Sequence, residues 1–275
     1  MKSPAPRRDR HAFYEAAVQG VEWDLDFLAR TFRNRNKREA RTFREDFCST
    51  AALATAWAQR TPANESWAVD LDPEPLAWAR TRRLPFVRDA ARRVTLVRGD
   101  VRVARAPKVD VACALNFSYW VFHRRADLLA YLRAARAGLN RGGALVLNAF
   151  GGRQAERPLV EKTRKAASHG PDGEPVPGFT YVWEQKRFDP LTRNLLAYIH
   201  FELRDGRALR KAFVYDWRMY TLPELREAAL EAGFRDFEVW SEGFDTERKT
   251  HTGRLHRRTK LDNDDCWIAY CVAYA

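Results

Sequence analysis

No run of about 18 apolar residues occurs in this chain, so no membrane-crossing helix is expected. No apolar segment follows the basic residues at its start, which argues against a secretory signal. The four cysteines (Cys48, Cys113, Cys266, Cys271) show no CxxC spacing, which argues against a disulfide framework or a zinc site. No HxxxH pattern or carboxylate cluster suggests a metal, and none is expected. The Gly-x-Gly-x-x-Gly loop of dinucleotide-binding sheets is also missing, which disfavours NAD and the oxidoreductase reading. Lysine is scarce, at nine of the 48 basic residues. The net charge of +12 is thus almost all arginine in an alanine-rich chain, a bias that a GC-rich coding sequence produces without selection for nucleic acid. These absences leave a cytoplasmic protein as the expectation.

What is present is organised around Phe43–Asp72. An acidic pair, Glu45-Asp46, leads into the small-residue turn Cys48-Ser49-Thr50 and then an alanine-rich helical run. A second short apolar run ends on Asp70. That is the layout of a βαβ nucleotide-binding unit, with a helix N-terminus facing the ligand and a ribose-binding acid ending the second strand.

The segment resembles motif I of the class I S-adenosylmethionine-dependent methyltransferases, whose loop usually reads acid, then Gly-Cys-Gly-Thr-Gly. Phe47, Ser49 and Ala51 stand where those glycines would be, so the loop departs from the pattern. The resemblance implies a seven-stranded, mostly parallel, Rossmann-like α/β sheet with N-terminal lid helices. It also implies S-adenosylmethionine as cofactor and S-adenosylhomocysteine as product. By matching position it assigns cofactor contacts to Arg44, Glu45, Cys48, Ser49, Thr50, Asp70 and Leu71. Asp100 and Val101, which end a third strand, match the residues that bond and stack on the adenine. Tyr14, in an apolar helical stretch over His11–Phe32, is the lid residue placed to reach the cofactor.

A fourth apolar strand, Val109–Leu115, ends in Asn116-Phe117-Ser118-Tyr119-Trp120-Val121-Phe122-His123, where parallel sheets bind ligands. Asn116 is therefore both a cofactor and a catalytic candidate, joined for catalysis by Tyr119, His123 and Tyr215. After the fifth strand (Ala144–Ala149) the α/β rhythm breaks into three β segments, Phe179–Phe188, Asn194–Leu203 and Ala208–Met219. Such an antiparallel insertion is expected to roof the acceptor site, with Trp120, His200, Tyr215, Trp217 and Arg218 as substrate contacts. Thr221 and Glu224 form a capping box for a final helix, which two closing strands follow. The basic Thr246–Lys260 stretch is expected to be a mobile loop, and Met1–Arg10 to start disordered.

The division read from this is 1–41 lid and basic tail, 42–150 cofactor-binding core, 151–220 substrate cap and 221–275 the rest of the core. The expected function is methyl transfer to a nitrogen or oxygen of a small molecule. The runners-up are an RNA or DNA methyltransferase and a non-catalytic cofactor- or RNA-binding protein. No membrane partner is expected, and the oligomeric state stays open.

Overall fold

A computed structural model describes residues 9–18, 20–245 and 250–275, with backbone alone for residues 243–245 and 250–253. The strands and helices alternate first. β1 (Thr42–Asp46), α3 (Ala52–Arg60), β2 (Glu65–Asp70), α4 (Pro73–Arg82), β3 (Val94–Arg98), β4 (Val109–Ala114), α5 (Arg125–Ala137) and β5 (Leu139–Gly151) follow one another. Two helices, α1 (Arg10–Val18) and α2 (Val21–Asn36), precede them. The insertion carries β6 (Leu159–Lys165), the two-residue strands β7 (Ser168–His169) and β8 (Pro175–Val176), β9 (Phe179–Asp189), β10 (Asn194–Leu203) and β11 (Ala208–Arg218). The chain closes with α6 (Leu222–Glu231), β12 (Asp236–Asp245), β13 (Thr250–Arg258) and β14 (Trp267–Tyr274).

The main sheet has the order β13-β12-β14-β5-β4-β1-β2-β3. β1 to β5 pair in parallel, whereas β14 runs antiparallel to both β5 and β12. β4 is buried at every position, as a central strand covered on both faces must be. The strand order reverses between β1 and β4, and the crevice at their carboxyl ends is where such sheets bind ligands.

Alanine lets α3 lie close to the sheet, while Trp57 fills the space near its end, stacked 5.0 Å from Phe43. Asp72 caps α4 through the Glu74 N–H, and the Thr221–Glu224 capping box of α6 is formed. The second sheet, β11-β10-β9-β6, is antiparallel. Its inward residues Phe179, Ile199 and Phe201 pack on Phe13 and Tyr14 of α1. Among the described residues no helix is long and apolar enough to cross a membrane.

Two expectations need correction. The main sheet has eight strands, not seven, because Thr250–Arg258 is strand β13 paired with β12 rather than a loop. The insertion sheet has four strands, the fourth being the charged edge strand β6. The helical stretch expected over His11–Phe32 is formed as two helices, with Gly20 as the N-cap of the second. The expected disorder of Met1–Arg10 falls mostly on residues outside those described, as do residues 246–249 of the expected loop.

Candidate active site

The turn after β1 keeps a glycine-type backbone without glycine. Phe47, Ser49 and Ala51 all lie in the left-handed region, at φ of 58°, 49° and 55°. A non-glycine residue costs about 1–2 kcal/mol there, so neighbours must hold the turn. They do so through the backbone: the Cys48 N–H donates to the Val69 carbonyl at 3.0 Å and the Ala51 N–H to the Cys48 carbonyl at 2.8 Å. The Asp70 carboxylate accepts from the Ser49 N–H at 2.7 Å and the Asp72 N–H at 2.9 Å. The acid that ends β2 thus fixes the turn that ends β1. The Cys48 side chain points into the core, 1% exposed.

Glu45 is buried behind this turn and accepts from the Ala54 N–H at 2.8 Å. Burial pushes its carboxyl up to about 8; the Ala54 bond and Arg83 oppose the shift, and Asp70 and Glu15 add to it. Glu15 comes from α1 and accepts hydrogen bonds from the Thr50 hydroxyl and the Arg83 guanidinium. Arg83 also donates through Nε to the Thr50 carbonyl at 3.0 Å. Glu15 and Arg83 thus pair at this turn, with Glu45 held protonated behind them near neutral pH.

A crevice of about 450 Å³ opens beside them, lined by Phe47, Asp70, Leu71, Asp100, Val101 and Phe122 among others. Both Asp100 oxygens are engaged by Arg102, which also reaches Asp127 at 2.8 Å and lies over the Phe122 ring. Arg102 holds the Asp100 carboxyl below its usual range, with burial opposing. Arg44 does not reach the crevice. It pairs with Asp46 at 2.8 and 3.1 Å on the opposite side of β1 from Glu45, where Tyr131 also bonds Asp46.

A second cavity, of about 250 Å³, lies beneath the insertion sheet. Asn116 and Phe117, both left-handed at φ of 53° and 59°, carry the end of β4 into it. The Phe117 N–H donates to Asn148 Oδ1 at 3.0 Å, which fixes that turn. Tyr215 and Trp217 line the wall with ring centroids 4.2 Å apart, and Trp183 lies 5.9 Å from Tyr215. Tyr14 enters from α1 and hydrogen-bonds Tyr215. Burial pushes the Tyr14 hydroxyl up to about 12 and Tyr215 well above the usual tyrosine range, so both stay protonated at neutral pH.

Of the residues expected here, Tyr14, Asn116, Tyr215 and Trp217 line this chamber, and Asp70, Leu71, Asp100, Val101 and His123 line the crevice. Ser49 and Thr50 belong to the turn between β1 and α3. Others lie elsewhere. Tyr119 is fully buried and donates to the Asn148 carbonyl, and Trp120 is fully buried behind Phe117 and Trp217. His123 contacts Asn194 Oδ1 and the Asp216 carbonyl at 3.2 and 3.0 Å, tying the loop after β4 to the insertion. Arg218 braces the same junction through the His123 carbonyl. His200 sits beside Glu184 at 3.0 Å and accepts from the Lys211 N–H, away from the chamber.

Sequence reasoning missed Phe117, Phe150, Tyr181, Trp183 and Gln185 as chamber residues, and Glu15, Arg83 and Arg102 around the crevice. The signal for three of them was available. Tyr181, Trp183 and Gln185 alternate along β9, so one of them inward places all three inward. Among the described residues no group of three or more His, Cys, Asp or Glu side chains is arranged to hold a metal ion.

No protein-family model matches this chain, and no curated protein matches it in sequence. Solved structures do resemble it. A S-adenosylmethionine-dependent methyltransferase from Clostridium acetobutylicum superposes with a TM-score of 0.67 at 17% identity, over 95% of this chain and 96% of that one. CalS10 from Micromonospora echinaspora, an amino pentose methyltransferase of calicheamicin biosynthesis with S-adenosylmethionine bound, gives 0.65 at 19% over 94% and 95%. The sugar N-methyltransferase KedS8 from Streptoalloteichus sp. gives 0.61 at 16% over 98% and 95%. At these identities the likeness establishes the fold, which is the Rossmann-like fold of S-adenosylmethionine-dependent methyltransferases with an antiparallel insertion.

Proposed function

We propose that this chain transfers a methyl group from S-adenosylmethionine to a nitrogen or oxygen of a small acceptor, with nitrogen favoured. The observation that carries the reading is the placement of two unlike cavities at one end of the sheet. An acid-edged crevice sits at the ends of β1 to β3 and an aromatic chamber at the end of β4. The structural likeness to CalS10 and KedS8 supports a nitrogen acceptor.

The residues present fit the cofactor. Asp70 has lone pairs left for ribose hydroxyls after its two backbone bonds. Leu71, Val101 and Phe122 offer apolar surface for a flat base. Glu15 and Arg83, paired at the turn, would suit the zwitterionic amino-acid end. When bound, the cofactor would supply an electrophilic methyl on a sulfonium, with a neutral thioether as the leaving group.

The chain's own work is alignment and exclusion of water. In-line displacement gains most from holding the nucleophile and carbon in register. The turn at Asn116-Phe117 and the rings of Tyr215 and Trp217 confine the acceptor, and Tyr14 closes the chamber from α1. Tyr14 and Tyr215 are too weakly acidic to serve as bases near pH 7, and no histidine among the described residues lines the chamber. An acceptor that enters as an ammonium must therefore release its proton to water before transfer, the exposed Glu161 being the one carboxylate among the described lining residues. The rate then rises with pH until it passes the pKa of the bound amine.

The test is transfer of a labelled methyl from S-adenosylmethionine to a library of small amines and alcohols, beside total RNA and DNA, with and without EDTA. Labelled small molecules, at rates unaffected by EDTA, are the expected result. Labelled RNA or DNA alone would overturn the acceptor, and failure of calorimetry to detect the cofactor would overturn the reading.

A further inference from the structure

The chamber's electrostatics differ from those of the molecule around it. In a chain with 48 basic residues, no lysine or arginine among the described residues lines this cavity. The one carboxylate among its described lining residues is Glu161, on the edge strand β6. Glu161 is register partner to Trp183, so the two side chains share the inward face. The carboxylate raises the pKa of Tyr181 and Cys266, which places its charge beside both, although burial is the larger cause in each case. Arg10, Arg83 and Arg218, which come near the surrounding elements, pair with Glu74, Glu15 and Glu224 instead. Glu161 forms no ion pair among the described residues, although its strand neighbour Lys162 pairs with Glu202 on the other face.

Ring faces complete the picture. Trp183, Tyr215 and Trp217 lie within 4.2 to 6.2 Å of one another by centroid, at interplanar angles of 30° to 40°. Ring faces attract cations through their quadrupoles, most strongly when water is excluded. A carboxylate without a partner beside three such rings is matched to a substituted ammonium and mismatched to phosphate or carboxylate.

We propose that Glu161, Trp183, Tyr215 and Trp217 form an ammonium-recognition subsite, which restricts the chamber to amines and rejects anionic ligands. As a statement about the acceptor this rests on the methyl-transfer reading, but as a binding site it stands on these residues alone. Glu161 is then a specificity residue: it draws the amine in as a cation, and the proton is lost to water before transfer.

The test needs neither cofactor nor turnover. Choline and its neutral isostere 3,3-dimethylbutan-1-ol are titrated into the full chain by calorimetry. Choline is expected to bind saturably and at least about fivefold more tightly than the alcohol. Glu161→Gln should weaken choline about three- to tenfold and leave the alcohol and the melting temperature unchanged, because Glu161 is exposed. Trp183→Leu should reduce the preference for choline while retaining an apolar wall. Equal affinity for the two probes, no saturable choline binding, or an unchanged choline affinity in Glu161→Gln would each overturn the proposal. Titration of S-adenosylmethionine in parallel separates the two ideas. Choline binding without cofactor binding removes the methyl-transfer reading and keeps the subsite, and the reverse removes the subsite alone.

Discussion

At the ends of β1 and β2 the ligand-facing wall is largely backbone: a turn with three left-handed residues, held by amide–carbonyl bonds and by Asp70. Beneath the insertion sheet the wall is almost all side chain, with rings from β9 and β11 over the end of β4. A site made of backbone tolerates sequence drift as long as the dihedral angles survive. Phenylalanine, serine and alanine hold the positions where glycine would be free of strain. A site made of side chains has no such latitude, because each ring is both wall and packing.

The largest expected effect breaks the second region. Trp217 is 4% exposed, and Trp217→Ala should cost about 3–5 kcal/mol in denaturant unfolding while leaving cofactor affinity intact where the variant is folded. A loss below about 1 kcal/mol would mean that the chamber wall is not part of the core. Asp70→Ala breaks the first region. It removes the acceptor for two backbone N–H groups and should weaken S-adenosylmethionine by roughly ten- to a hundredfold, about 1.5–3 kcal/mol, in calorimetry. Choline affinity should not follow it, and if both fall together the two sites are not separate.

Glu45 supplies a pH signature that belongs to the first region alone. Its folded pKa of about 8 lies above the unfolded value near ~4.3, so the stability it contributes is complete below the lower value. That contribution is lost as pH rises toward 8. Between pH 6 and 7 the ligand-free wild type should lose up to about 1.4 kcal/mol relative to Glu45→Gln in paired urea titrations. Asp24, raised to about 6 chiefly by burial, titrates in both proteins and cancels in the difference. Parallel curves for the two proteins would show that Glu45 titrates elsewhere. The smallest effect is Ser49→Gly, which should raise stability by about 0.5–1 kcal/mol as strain is relieved. Thermal melts showing a loss instead would mean that the serine side chain holds the turn.

The same contrast explains what could be read in advance. The parallel half was legible because apolar runs ending on Asp70, Asp100 and Asn116 mark strand ends by composition. The left-handed angles at Phe47, Ser49 and Ala51 were not, since no propensity favours them in those residues. β6 and β13 read as surface because edge strands carry charge: Leu159–Lys165 and Thr250–Arg258 are dominated by polar and basic side chains. His200 was misplaced although the alternation was visible. Ile199 and Phe201 face the core, which leaves the residue between them on the other face of the sheet, where it is buried against Glu184. Arg44 follows the same rule on β1, opposite Glu45 and beside Asp46. Tyr119 and Trp120 fell one layer too deep, since a strand end locates the loop but not which of its rings turns back into the core.

The four thiols divide in a way that serves experiment. Cys48, Cys113 and Cys271 are buried, and burial raises all three above the ordinary thiol pKa. Cys266 is raised as well, by partial burial and then by Glu161, but it is exposed and lines the chamber, so a reagent can reach it. A maleimide dye added to the folded protein under mildly alkaline conditions should therefore attach at one position, without any cysteine having to be engineered or removed. Its emission would then report, in real time, whatever enters beneath the second sheet.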